Sequence, residues 1–276
     1  MAIVHFSDLQ DPQTKRDIAN RIGDEEPKEF FIRRLSEGIG RIAAAFYPKP
    51  VIVRTSDFKS NEYANLLGGT DFEPKEENPM LGLRGASRYY DPRYAAGFLL
   101  ECAALLRART EMGLTNIKIM IPFVRTVEEG KRVLAVMAQH GLKQGDQGLE
   151  IYAMCELPSN IVLAEEFLRI FDGYSIGSND LTQMVLGIDR DSGIVARLFD
   201  ENNRAVLSMI AEVVNEAHRA GKPIGICGQA PSDFPEFARW LVDQGITAIS
   251  LNPDTAIKTA LVIADQERNA SVMEAA

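Results

Sequence analysis

The chain has 276 residues, 46% of them hydrophobic and 25% charged, a balance typical of a globular protein and sufficient for one large α/β barrel or two small domains. Its formal charge of −9 argues against non-specific binding of nucleic acid, although a few local arginines can still make one cleft attractive to an anion. No apolar run approaches the roughly 20 residues of a membrane span and no signal-peptide pattern opens the chain, so a cytoplasmic protein without membrane attachment is expected.

Residues 1–49 are mostly polar and helical in character. Within them, Phe30 to Tyr47 carries apolar residues at helical spacing and is stopped by Pro48 and Pro50. Beyond Lys49 short apolar runs alternate with helix-length periodic segments. The runs are VIVR from Val51, IKIMIP from Ile117, IYAMCE from Ile151, YSIGS from Tyr174, PIGICG from Pro223 and AISLNP from Ala248. Such repetition is the sequence image of parallel β/α units. A weaker run, MLGLRG from Met80 to Gly85, follows a long loop rich in Gly, Pro and Glu and brings the expected strands to seven. The expected organisation is a helical segment, 1–49, followed by a β/α domain, 50–276.

Polar residues collect at the ends of these strands, where β/α proteins place their chemistry. Glu156 ends one strand and Asp180 follows the next, so two carboxylates would share one rim and could hold a hard cation; alternatively, each simply caps the helix that follows. Arg54 closes VIVR and Arg84 sits in MLGLRG; either guanidinium could bind a carboxylate or phosphate, or pair with a neighbouring acid. Period-two alternation sets Gly225 and Cys227 on one side of their strand and Ile224 and Ile226 on the other. Cys102 and Cys155 look like small buried hydrophobes. With three cysteines and no Cys-x-x-Cys pair, neither a disulfide framework nor a zinc site is suggested.

The run SIGSNDLTQMVLGIDR, Ser175 to Arg190, resembles the signature of the PEP-utilising enzymes, which make or use phosphoenolpyruvate through a phosphohistidine. Tyr174 stands where that family more often has an aliphatic residue or Phe. NPMLGLRG, GQAPSD (Gly228 to Asp233), DFKSNEYANLLGG, EMGLTNIKIMIPFVRT and SLNPDTAIKT extend the resemblance over nearly the whole chain, toward the branch that converts ATP, pyruvate and water to AMP, phosphoenolpyruvate and phosphate. Gln229 agrees with that branch, where dikinases often have Glu.

The resemblance implies a TIM-type (β/α)8 barrel of the PEP/pyruvate-binding type. It also implies Mg2+, with Mn2+ as a substitute, held by Glu156 and Asp180. Cys227 would be the acid/base at the pyruvate methyl group, and Arg54, Arg84, Ser178 and Asn179 would bind substrate. Arg190 would be a further anion-binding residue, or else a salt-bridge partner of Asp189 or Asp191. The family's first-strand Arg-Thr-Glu triplet is not found, and none of His5, His140 and His218 lies in a Thr-x-His context. The sequence is therefore expected to be a piece of a larger protein, truncated before its first barrel strand and without the phosphohistidine and ATP-binding domains. A homodimer is expected because related barrels self-associate. Alternatives within reach of the same residues are a pyruvate phosphate dikinase-like domain, a magnesium-dependent keto-acid lyase or aldolase, and a catalytically incomplete dimerisation fragment.

Overall fold

A computed structural model describes residues 1–274, with side chains through residue 269. Strands and helices alternate, and the described residues form six strands: β1 (Val51–Arg54), β2 (Ile117–Ile121), β3 (Ile151–Cys155), β4 (Gly173–Gly177), β5 (Ile224–Cys227) and β6 (Ala248–Ile249). Every pairing described below is parallel, so the fold class is α/β. None of the described helices is long and apolar enough to cross a membrane.

The chain divides into two compact units, one of residues 1–124 and 128–151 and the other of residues 125–127 and 152–276. In the first unit β1 pairs with β2, Val51 opposite Ile117 and Arg54 opposite Met120. The helix Pro27–Phe46 starts where Glu26 caps it, its carboxylate accepting from Glu29 N at 2.7 Å, with Pro27 supplying a φ already suited to the first turn. Its buried face is Ser36, Ile39, Gly40 and Ala43, small enough for a close approach to the helix Ala95–Thr110. A Cβ at Gly40 would stand 2.8 Å from Met112 Sδ, so a larger residue there would have to displace that side chain. Glu29 and Arg107 tie the same two helices with bonds of 2.6 and 3.1 Å.

MLGLRG does not form the expected seventh strand. Residues 80–85 run through turns and bends, and the reason is local. Gly85 sits at φ +56°, where a Cβ would stand 2.6 Å from Pro122 O, and Ala86 N donates to that same oxygen at 3.1 Å. At Gly82 the space a side chain would need is filled by the Glu76 carboxylate, which accepts from Leu83 N at 2.9 Å. Backbone groups tied to side chains and to Pro122 have no strand ladder to join.

In the second unit β3, β4, β5 and β6 pair in chain order. All five residues of β3 and all five of β4 are buried, as expected of parallel strands covered on both faces. Along β5 burial alternates: Ile224 and Ile226 are buried and Gly225 and Cys227 are half-buried, which is the alternation expected from the sequence. Tyr174 is fully buried in β4, and its hydroxyl donates to Asn160 O at 3.1 Å, so the tyrosine in place of an aliphatic residue keeps its polar atom satisfied.

Candidate active site

β4 passes into the helix Ser178–Leu186 with no intervening loop, which sets Asp180 in the helix's first turn. Glu156 follows β3 directly. Asn160 Oδ1 accepts from Glu156 N at 3.2 Å and from Leu157 N at 3.0 Å, fixing the backbone from which the glutamate projects. The Glu156 side chain is almost wholly buried, and one of its carboxylate oxygens lies within 4.8 Å of one of Asp180. Gly177 makes that approach feasible, since a Cβ there would stand 2.7 Å from Glu156 Oε2.

The β4–β5 register pairs Gly177 with Cys227, so the Ser178–Asp180 turn and the cysteine stand side by side. Ser178 Oγ donates to Cys227 O at 3.2 Å. Gly228, at φ +129°, leaves room for that hydroxyl: a Cβ would stand 2.1 Å from it. Cys227 is half-buried, whereas Cys102 and Cys155 are fully buried and burial pushes both thiols up, Cys102 to about 12. Cys227 is thus the accessible one of the three.

Asn179 stands between Glu201, a residue in no sequence motif, and Arg190. In the orientation that satisfies both ends of its amide, Asn179 donates to Glu201 Oε1 at 3.3 Å and accepts from Arg190 Nη1 at 3.2 Å. Glu201 is 7% exposed. Burial pushes its carboxyl up, and the Arg190 guanidinium opposes that rise. Arg190 itself is exposed, and its backbone N donates to Gln183 Oε1 at 3.0 Å.

The two remaining arginines lie in the first unit with Asp57. Arg84 is 4% exposed and grips the Asp57 carboxylate with both arms of its fork, Nε to Oδ1 at 3.1 Å and Nη2 to Oδ2 at 2.6 Å, while lying over the Phe123 ring at 4.1 Å. Arg54 is half-exposed, 3.7 Å from Asp57 Oδ2. The loop that carries Asp57 is pinned on both sides: Glu101 accepts from Ser56 N at 2.9 Å, and Tyr89 donates to Ser56 O at 2.6 Å. Asp57, Glu101, Asn160 and Glu201 were not singled out from the sequence; Asp57 opens DFKSNEYANLLGG three residues after Arg54, a signal that could have found it, whereas nothing in the local pattern of the other three marks them. Their burial does.

Residues 7–268 match the family model for the PEP-utilising enzyme, PEP-binding domain. Among similar proteins, the phosphoenolpyruvate synthase of Synechocystis sp. is 61% identical over 97% of this chain and 33% of its own length. That of Aquifex aeolicus is 60% identical over 94% of the chain and 30% of its own length, and that of Escherichia coli is 55% identical over 97% and 34%. The chain spans about a third of the length of these curated relatives. With nearly every residue inside the family model, the chain belongs to the PEP-utilising enzyme family, as its PEP-binding domain.

Proposed function

We propose that this domain binds pyruvate and phosphoenolpyruvate and carries the half-reaction in which a phosphoryl group passes from a phosphohistidine to the enolate oxygen of pyruvate. In the whole protein, the reaction would be that of a pyruvate, water dikinase: ATP, pyruvate and water give AMP, phosphoenolpyruvate and phosphate. The names of the relatives favour this over a phosphate-dependent dikinase. The observation that carries it lies within the second unit, where two carboxylate oxygens within 4.8 Å of each other accompany a half-buried thiol on the neighbouring strand. A keto-acid lyase or aldolase would share the acids but has no need of the thiol.

Two hard oxygen donors with no thiol or imidazole between them suit Mg2+ or Mn2+, and Glu156 and Asp180 would hold it. Bound there, the cation would supply Lewis-acid polarisation of the keto oxygen. Cys227 would take the methyl proton as the enolate forms and return it in the reverse direction. Asn179 would donate from its amide nitrogen to a substrate oxygen, with Ser178 beside it. Arg54 and Arg190 would draw the anionic groups of substrate and phosphoryl donor, and Arg84 would act from its bond to Asp57, since phosphoryl transfer depends chiefly on positioning and charge neutralisation. On the same reading the strands belong to a TIM-type (β/α)8 barrel spanning 50–276, preceded by the helical segment 1–49, and the domain self-associates as a homodimer.

The test is calorimetric titration with oxalate, an enolate mimic. Binding is expected only with Mg2+ or Mn2+, and Glu156→Gln or Asp180→Asn should abolish it. Undiminished binding without metal would defeat the proposal.

A further inference from the structure

We infer that Glu201 is a positioning residue that fixes which end of the Asn179 amide faces the substrate. An ionised carboxylate only accepts hydrogen bonds and a guanidinium only donates them. Between Glu201 Oε1 at 3.3 Å and Arg190 Nη1 at 3.2 Å, the Asn179 side chain therefore has one orientation that satisfies both neighbours, with nitrogen toward Glu201 and oxygen toward Arg190. The opposite orientation would set oxygen against carboxylate and N–H against guanidinium. The amide nitrogen carries two hydrogens and Glu201 takes one. The second is left to donate elsewhere, while the amide oxygen, which would repel an enolate or a phosphoryl group, is turned to Arg190.

Glu201 is suited to the task by where it sits. It lies three residues before the helix Arg204–Arg219, whose start is fixed by Asn203 accepting from Ala205 N at 3.0 Å, and it is only 7% exposed. Asn179 is in the first turn of its own helix. A group buried between two helix starts has little freedom to follow the amide if it turns. Arg190, exposed and on a flexible stem, could not hold the orientation alone; it bonds the amide oxygen directly, while the buried Glu201 fixes the nitrogen end.

The effect on substrate rests on the function proposed above; the orientation itself does not, and the experiment separates the two. The first arm is a double-mutant cycle on the 276-residue chain, with oxalate affinity measured in Mn2+. Glu201→Gln, which can both donate and accept, is expected to weaken oxalate about tenfold, the worth of one hydrogen bond to a charged group. In the Asn179→Ala background the same substitution should change affinity less than about twofold, because the residue it acts through is gone. An equal loss in both backgrounds, or none in either, overturns the inference. Should Glu201→Gln not fold, Glu201→Asp enters the same cycle, expected to lose affinity only when Asn179 is present.

The second arm needs no ligand. The side-chain 15N–1H pair of Asn179, assigned by its disappearance in Asn179→Ala, is expected to shift in Glu201→Gln while the other side-chain amide pairs stay in place. An unmoved Asn179 pair overturns the inference. If oxalate fails to bind the parent chain at all, the proposed function falls, and this arm still decides the role of Glu201.

Discussion

The two units hold their polar groups in different ways. In the first, charge meets charge: Arg84 forks onto Asp57, and Arg88 forks onto Glu73 at 2.6 and 2.9 Å with its guanidinium between the rings of Tyr63 and Tyr94. In the second, polar groups near the strand ends are arranged by amides, a hydroxyl and glycines: Asn160 on the Glu156 backbone, Asn179 on Glu201, Ser178 on the Cys227 carbonyl, and Gly177 and Gly228 where a Cβ would collide. The difference matters because a buried ion pair stabilises only as a pair, since removal of either partner strands the other. Hydrogen bonds with at least one uncharged partner and close backbone contacts instead set direction at smaller energetic stakes. The first arrangement locks charge against charge; the second fixes the direction of individual polar atoms.

The sharpest way to break this contrast is at the thiols. Cys227→Ala is expected to slow solvent deuterium incorporation into metal-bound pyruvate by about 10²–10⁴-fold, the usual worth of a positioned acid or base, and to leave oxalate affinity nearly unchanged. Cys102→Ala and Cys155→Ala should leave exchange within a few-fold and show their effect as lower thermal stability. Mass spectrometry of the recovered pyruvate decides it, and unaltered exchange in Cys227→Ala would make that cysteine structural.

Next in size is Arg84→Ala. Losing both bonds to the buried Asp57 carboxylate, whose side chain is 1% exposed, should cost about 3–5 kcal/mol in urea unfolding, with Arg54 at 3.7 Å offsetting part of the lost charge. Glu156→Gln should change stability far less than it changes metal-dependent binding. Similar stability losses for the two would erase the distinction between the units.

Within the second unit, Gly228→Ala should cost about 2–4 kcal/mol from the collision with Ser178 Oγ and the strained φ together. Gly187→Ala, at φ +64° but with nothing within 4 Å, should cost only about 1 kcal/mol. Comparable costs would mean that the Ser178 contact relaxes freely.

The smallest effect concerns Glu101, whose carboxyl is pushed up by burial and drawn back by its bonds to Ser56. A raised folded-state value means that the folded chain keeps its proton to a higher pH than the unfolded chain does. Stability is therefore lost as pH rises from the ordinary carboxylate range through the raised value. Glu101→Gln retains an acceptor for Ser56 N and removes that loss, so it should raise the melting temperature by a few degrees at pH 7–8 and leave it unchanged near pH 4. A melting curve with the opposite dependence would assign Glu101 a role as an obligatory anion.

Much of the frame was legible in the chain. VIVR, IKIMI, IYAMC and IGIC could be recognised as strands because short, mostly apolar runs of four or five residues between helix-length segments have few other uses. The reactive candidates were legible because they fall where those runs end. MLGLRG misled because apolar content alone suggested a ladder, whereas its two glycines are there to let Glu76 and Pro122 O come close. Glu201 and Glu101 were invisible for the opposite reason: an isolated glutamate before or within a helix ordinarily faces water, and only the packed structure shows that these two do not.

Each unit also carries one fully buried thiol, Cys102 in the first and Cys155 in the second, while Cys227 stands half-buried. Alkylation proceeds through the thiolate on a thiol that reagent can reach, so the chain holds one fast-labelling position and two that wait for an opening event. Under excess iodoacetamide the first mass increment would record the native site. The second and third would work as separate clocks, one for each unit. If both tick at one rate, the units open together; if they differ, their ratio gives the free-energy gap between two local unfolding steps within a single chain, with no substitution introduced.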